Sequence, residues 1–333
     1  VLIMLNYYAK LSSFGSCVPQ KILNNYDLEK IVETSDEWIR TRTGMFERHI
    51  ASENEAASDL AYEAAVRAIE SSSVKYKDID QIIVATISGD HPFPSTACIL
   101  QKKLGLKDIP CFDISAGCTG FIYALDVARQ YVENGIVQNI LVIGVEILTK
   151  ITNWKDRNTC VLFGDGAGAA IVSRAEPSEI SRIIDSKIAA DGSQGEYLIQ
   201  YAGGSRMPAS HETVDKNLHT VYMEGNRIFK NAIRCMYASS DELLKRNNLT
   251  IADVDWIIPH QANLRIIEGL ASKMKVPMSK VIVNIEKYGN TSSATIPIAA
   301  DEAIRNKKIR RGDIILLTSF GAGLTWGSIL ARY

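Results

Sequence analysis

DIDQIIVA (78–85) and DVDWIIPH (253–260) decide the fold. Each reads as a buried strand after an amphipathic helix, and their first residues, Asp78 and Asp253, stand 175 positions apart. The resemblance extends outward from both. FDISAGCTGFIYALDVA (112–128) and VNIEKYGNTSSATIPIAADEA (283–303) each give a short strand, a small-residue loop and a helical run. NILVIG (139–144) and DIILLT (313–318) repeat a third strand at an offset of 174. Three matches in one order at a nearly constant offset mark one plan used twice. The strands are rich in Val and Ile without polar alternation, as expected when both faces are covered by helices. The chain therefore reads as a duplicated α/β protein with halves at 1–175 and 176–333. No Pro/Ser/Gly-rich linker divides them, so the halves are expected to share one core.

Composition narrows the function classes. At 333 residues the chain is large enough for two domains or one fused core. With 46% hydrophobic and 23% charged residues, it has the balance of an ordinary globular protein. The opening VLIML run (1–5) is too short for a signal peptide or a membrane span, and no later run approaches the roughly 20 apolar residues a span needs. The cytoplasm is the expected location and no membrane partner is expected. Because the chain begins with Val1, Met4 is the alternative native start. Thirty-seven basic against 38 acidic residues provide no general field for nucleic acid, so an anionic ligand must meet a local basic patch. The six cysteines (17, 98, 111, 118, 160, 235) lack CxxC pairs and zinc-like His spacing. They read as reduced thiols, mostly core, with at most one reactive; no metal is expected.

The duplication also relates three candidate site residues. Cys118 and Asn290 fall at the same point of the two copies, each in a strand-to-helix loop, and His260 ends the preceding strand of the second copy. Such loops converge at the carboxyl ends of strands, where open α/β sheets bind ligands. Cys118 lies in AGCTG (116–120) before the helical run FIYALDVA, where a helix N-terminus is expected to lower the thiol pKa. A thiolate there can accept an acyl group from a thioester; the competing reading is a small buried hydrophobe. His260, in PHQANLR (259–265), can donate to an enolate oxygen or exchange a proton, or be a satisfied structural histidine. Asn290, in YGNTSSA (288–294), can cap a helix, donate to a carbonyl gaining charge, or do both.

The Gly-rich stretches FGDGAGAA (163–170) and SFGAGLTWG (319–327) read as loops with neither a GxGxxG helix opening nor a Walker lysine, which favours tight packing beside a cleft over a phosphate cradle. The second can supply N–H groups opposite Cys118. TSDEWIRTRTGMFERHIA (34–51) clusters Trp38, Arg40, Arg42 and Arg48, suited to a nucleotide base and phosphates or simply a solvated helix face. Lys230, Arg265, Lys273 and Lys275 similarly offer a patch for an acidic partner, or charge without a role.

Over essentially its whole length the chain resembles the β-ketoacyl-acyl carrier protein synthase III family, thiolase-fold enzymes that start bacterial fatty acid synthesis. SDEWIRTRTG, AGCTGF, FGDGAGAA, PHQANLR, YGNTSSA and FGAGLTWG carry the resemblance. It implies a five-layered αβαβα core of two duplicated halves and a homodimer. It implies that Cys118 takes the acyl group from acyl-CoA, a substrate rather than a cofactor, while His260 and Asn290 promote decarboxylation of malonyl-acyl carrier protein. The implied oxyanion hole uses the N–H groups of Cys118 and Ala322. Many relatives have Gly at the latter position, and Ala serves if its φ is negative. The implied coenzyme A contacts are Trp38 and Arg157 at the adenine, Thr34, Arg42 and Arg157 at ribose and phosphates, and Gly225, Ala262 and Asn263 along the pantetheine channel. Lys230, Arg265 and Lys273 are implied for the carrier protein. Phe93, in HPFPSTAC (91–98), is implied to close the acyl pocket across the dimer, favouring a short primer such as acetyl. Two alternatives remain: a polyketide-priming or secondary-metabolite acyltransferase on the same fold, and a catalytically silent acyl-CoA or carrier-protein binding subunit.

Overall fold

Two sheets organise the computed structural model, which describes residues 7–333; the VLIML run and Met4 lie outside the described residues. Their strands are β1 (Tyr8–Cys17), β2 (Gln81–Ala85), β3 (Cys111–Ile114), β4 (Asn139–Ile147), β5 (Asp165–Ala175), β6 (Arg182–Ala190), β7 (Trp256–Pro259), β8 (Ile314–Gly321) and β9 (Thr325–Arg332). The principal helices are α1 (Ala57–Glu70), α2 (Gly120–Glu133), α3 (Gly225–Arg246), α4 (Leu264–Met274) and α5 (Thr295–Arg305).

The five-stranded sheet runs β1-β5-β4-β2-β3 and the four-stranded sheet runs β6-β9-β8-β7. Strand for strand the order is the same. The parallel pairs correspond as well: β4 with β2 in one sheet, β8 with β7 in the other. Every residue of β2 and of β8 is buried, which explains their unbroken apolar runs.

The copies differ at one edge. The short strand expected near 283 is reduced to a single parallel bridge, Val281 with Ile257, before a one-turn helix at Ile285–Tyr288. A side chain takes the ladder's place there. Gln261 donates from Nε2 to the Ile282 carbonyl at 3.2 Å and accepts from the Asn284 N–H at 3.2 Å.

Helices α2 and α5 lie between the sheets, sharing one apolar core with residues of both, among them Ile83, Phe121, Ile258, Ile296 and Leu317. Helix α1 covers the outer face of the first sheet, and α3 with α4 covers that of the second. The layers are thus α, β, α, β, α. Each fully buried Leu, Ile or Phe contributes about 1.5–3 kcal/mol, so the shared middle layer binds the two sheets strongly.

FGDGAGAA is not a loop: residues 165–170 belong to β5, an interior strand of its sheet between β1 and β4. Small residues suit that place because α5 presses directly on the strand. A Cβ added at Gly168 would lie 2.6 Å from the ring of Pro297. SFGAGLTWG is likewise mostly strand, forming the β8–β9 hairpin with its tip at 322–324.

Candidate active site

Two strand ends and a one-turn helix meet at one point. Cys118 follows β3 in a single 3-10 turn, Gly117–Thr119, that leads into α2. His260 follows β7, held by its N–H to the Thr318 carbonyl at 2.8 Å. Asn290 follows the Ile285–Tyr288 turn and is pinned from both sides, its N–H to the Leu162 carbonyl at 2.9 Å and its carbonyl accepting from Gly164 at 3.1 Å. The turn into Asn290 requires φ +63° at Gly289, where an added Cβ would sit 2.9 Å from the Leu162 oxygen. Glycine is the residue that accepts both demands. Cys118, His260 and Asn290 all line one cavity of about 120 Å³, walled mostly by apolar side chains including Phe229, Met236 and Phe320.

The thiol does not behave as the helix N-terminus suggests. Cys118 is half-buried at the floor of the cavity, and burial pushes the thiol up to about 12, outweighing hydrogen bonds from Ser292 and the backbone; the carboxylate of Glu146 raises it further. The β8–β9 hairpin stands directly against the cysteine. A Cβ at Gly321 would lie 2.7 Å from the Cys118 nitrogen, and one at Gly117 would lie 3.1 Å from the Ala322 nitrogen. Ser319 Oγ donates to the Cys118 carbonyl at 2.8 Å, fixing the two segments together. Ala322 is not among the described residues with positive φ, so its side chain causes no strain.

His260 is 3% exposed, and burial lowers its pKa to about 3, so the ring is neutral. Its Nδ1 lies 2.7 Å from Thr295 Oγ1, which also reaches the Ser292 carbonyl at 3.0 Å. The single hydroxyl hydrogen serves one of these at a time. When it points to Nδ1, the ring hydrogen is on Nε2, the form that donates from the other side of the ring. Asn290 fills the turn-residue reading: Oδ1 accepts from the Ser292 N–H at 2.9 Å, which leaves the Nδ2 hydrogens without a partner in this turn.

The buried neutral histidine sets a pH dependence of stability. The unfolded chain protonates this residue below about pH 6.5 while the folded protein does not until about pH 3, so stability is lost as pH falls through that window. His260→Ala should therefore gain on the wild type by up to about 1.4 kcal/mol for each pH unit below 6.5. Urea unfolding of both proteins between pH 7 and 4.5 checks this; parallel curves would refute it.

A wider basin of about 490 Å³ adjoins the cavity and shares Leu162, Met223, Gly225, Phe229 and Asn263 with it. Trp38, Arg42 and Arg265 line the basin, and Ala262 lines the inner cavity. Arg157 lies over the Trp38 ring at 4.9 Å and donates to the Glu33 carbonyl at 3.2 Å. Thr34 is half-buried, and its hydroxyl has no partner among the described residues. Asn263 caps α4 through the Arg265 N–H and ties that helix to the Arg42 carbonyl at 3.0 Å.

The basic residues separate by role. Arg48, read as part of an exposed cluster, is fully buried, with Nη1 on Asn25 Oδ1 at 2.8 Å and Nη2 on the Val161 carbonyl at 2.6 Å. It braces the segment that holds Asn290 rather than facing a ligand. Arg40 lies over Phe46 at 4.3 Å and pairs with Asp36 at 3.3 Å. Lys230, Arg265 and Lys273 are exposed on α3 and α4. Arg265 stands at the basin over Phe229 and Lys273 over Tyr237, two turns further along α4. Lys275 is also exposed, at the left-handed cap of α4. Phe93 is 86% exposed and does not line the cavity within this chain. All six cysteines are free; Cys17, Cys160 and Cys235 are buried, Cys111 and Cys118 half-buried and Cys98 exposed.

Known proteins resemble this chain over nearly its whole length. The family model described as 3-oxoacyl-[acyl-carrier-protein (ACP)] synthase III matches residues 112–192, and that of its C-terminal part matches 244–333. The β-ketoacyl-[acyl-carrier-protein] synthase III of Caldanaerobacter subterraneus subsp. tengcongensis is 57% identical over 319 residues, 96% of either chain. The chain belongs to the β-ketoacyl-acyl carrier protein synthase III family. The synthase III of Clostridioides difficile is 47% identical over 99% of either chain. The crystal structure of 3-oxoacyl-[acyl-carrier-protein] synthase III from Aquifex aeolicus VF5 superposes with a TM-score of 0.90 at 46% identity, covering 98% of this chain and 100% of that one. The layered fold is therefore the thiolase-type fold of these condensing acyltransferases.

Within this synthase III site, three polar residues escaped the sequence reading: Glu146, Ser292 and Thr295. Ser292 and Thr295 stood inside or next to YGNTSSA but looked like helix-start residues. Glu146 had a signal, a lone carboxylate in the apolar run NILVIGVEI (139–147), because a fully buried Glu always needs an explanation.

Proposed function

We propose that this chain condenses a short acyl group, acetyl as the leading candidate, with malonyl-acyl carrier protein through an acyl-Cys118 intermediate. The convergence of Cys118, His260 and Asn290 on one apolar cavity, with a basic and aromatic basin at its mouth, carries this reading. In the first half-reaction Cys118 Sγ attacks the thioester carbonyl and coenzyme A leaves as its thiol. The N–H groups of Cys118 and Ala322 are the donors placed for the oxyanion. In the second, the malonyl carboxylate departs as CO₂, and the enolate oxygen receives hydrogen bonds from Nε2 of neutral His260 and Nδ2 of Asn290. The enolate carbon then bonds to the acyl carbon, the bond to Cys118 Sγ breaks, and the β-ketoacyl product leaves on the carrier. Water-poor apolar walls favour this chemistry by strengthening each donor.

The basin suits coenzyme A: Trp38 and Arg157 for the adenine, Thr34, Arg42 and Arg157 for ribose and phosphates, and Gly225, Ala262 and Asn263 along the pantetheine arm. Lys230, Arg265 and Lys273, exposed on α3 and α4 with Arg265 at the basin, suit an acidic carrier protein. Exposed Phe93 suits a second copy of the chain, whose acyl pocket it would close in a homodimer working in the cytoplasm. No helix among the described residues is long and apolar enough to cross a membrane.

Incubation with straight and branched acyl-CoAs, read by intact mass before and after adding malonyl-carrier protein, tests the whole sequence. An acyl mass on Cys118 that disappears as β-ketoacyl product forms is expected. No acyl mass with any member of the panel would favour the silent binding subunit. Arg42→Ala should raise the KM for acyl-CoA about tenfold, the loss of one charge-assisted contact, with kcat within about twofold. An unchanged KM would remove Arg42 from the phosphate site.

A further inference from the structure

Thr295 opens α5 and is buried. Its Oγ1, 2.7 Å from His260 Nδ1, is the one hydrogen-bond partner of the ring among the described residues. The same oxygen lies 3.0 Å from the Ser292 carbonyl three residues back, the local bond that a helical threonine commonly makes.

Two arrangements satisfy both the hydroxyl and Nδ1, and they differ at the other ring nitrogen. In one, the hydroxyl donates to Nδ1 and the ring hydrogen sits on Nε2, which is then a donor. In the other, Nδ1–H donates to Oγ1, the hydroxyl turns to the Ser292 carbonyl, and Nε2 carries a lone pair. The first arrangement serves an oxygen gaining charge; the second is a base.

The geometry favours the first. Hydroxyl donors work best at about 2.7–2.8 Å and N–H donors at about 2.9–3.0 Å. The 2.7 Å contact therefore suits O–H donating to Nδ1, and 3.0 Å is long for O–H to a carbonyl. The Ser292 carbonyl also has a second donor in the Thr295 N–H, whereas Nδ1 has only the hydroxyl. The hydroxyl is held in place, because branching at Cβ restricts its rotamers and α5 is pressed onto β5, with Pro297 against Gly168.

We propose that Thr295 is a positioning residue that holds His260 with its hydrogen on Nε2, making the histidine a donor to the enolate oxygen and not a base for the thiol. The inference rests on the condensation reading above. As the malonyl C–C bond breaks, its electron pair passes into the enolate and CO₂ leaves. The Nε2–H bond stays intact and donates to the enolate oxygen; when the enolate carbon bonds to the acyl carbon, the carbonyl re-forms and the donor is released unchanged. A neutral hydroxyl suits this role, since it adds no negative charge to favour an imidazolium. Burial alone moves the titration of the ring, with no charged group contributing.

The test labels the five histidines with nitrogen-15 and reads the ring nitrogens by long-range proton–nitrogen correlation at neutral pH, with His260 assigned by its absence in His260→Ala. Wild type should show a protonated Nε2 and an Nδ1 shifted as a hydrogen-bonded acceptor. Thr295→Val keeps the shape of the side chain and removes the hydroxyl. Its Nδ1 resonance should move, and kcat for CO₂ release should fall about tenfold, one hydrogen bond's worth, with KM and Cys118 acylation within about twofold. Thr295→Ser should restore both the resonance and the rate. A wild-type proton on Nδ1, an unchanged kcat in Thr295→Val, or an equal loss of acylation overturns the proposal. If Thr295→Val does not fold, the wild-type spectrum and Thr295→Ser decide. If wild type releases no CO₂ from malonyl-carrier protein, the functional reading fails, while the spectrum still reports which nitrogen carries the proton.

Discussion

Cys118→Ala is expected to abolish acylation by every acyl-CoA, leaving no mass increase in the intact protein and lowering condensation by at least about a thousandfold. The fold should survive. The substitution removes one sulfur from a residue already bordering a cavity, so the stability cost is expected below about 1.5 kcal/mol and the melting temperature close to that of wild type. Because His260 and Asn290 are untouched, the variant should still release CO₂ from malonyl-carrier protein, now without a β-ketoacyl product. Wild-type condensation by Cys118→Ala would sink the acyl-enzyme altogether. Loss of CO₂ release together with acylation would mean that the thiol also takes part in decarboxylation.

The complementary result is expected from His260→Ala and Asn290→Asp. Each should lower decarboxylation and condensation by about a hundred- to a thousandfold, the usual cost of one donor to a developing oxyanion. Acylation of Cys118 should stay within a few-fold of wild type. Asp is preferred to Ala at position 290 because its oxygen can still accept from the Ser292 N–H, so the local turn is kept while the donor is lost. Rapid-quench intact mass for acylation and CO₂ release for decarboxylation separate the steps. A parallel loss of acylation in His260→Ala would make the histidine the base for the thiol.

The duplication and the three principal site residues were legible in the sequence for a physical reason. Buried parallel strands announce themselves as apolar runs, and their carboxyl ends are where chemistry collects, so Cys118, His260 and Asn290 stood at readable positions. What stayed hidden depends on side chains substituting for backbone or on burial against pattern. Gln261 replaces a strand edge, which no local periodicity reports. Arg48 lies in a basic stretch yet is wholly enclosed, its two terminal nitrogens held by carbonyls and Asn25 while Nε has no partner among the described residues. The burial that pushes the Cys118 thiol up stays hidden because helix position is visible in sequence and the enclosing wall is not. Phe93 shows the reverse, a bulky ring that remains exposed in the single chain.

The inner cavity and outer basin share the gap between Leu162, Met223, Gly225, Phe229 and Asn263. On the proposed reading, two long thioester substrates reach Cys118 through this one shared gap and cannot occupy it together. The first carrier must clear the passage before the second arrives, so traffic at the doorway alone imposes a ping-pong order. It also makes free coenzyme A a competitor of the incoming carrier, with the cell's ratio of the two setting how long a loaded protein waits.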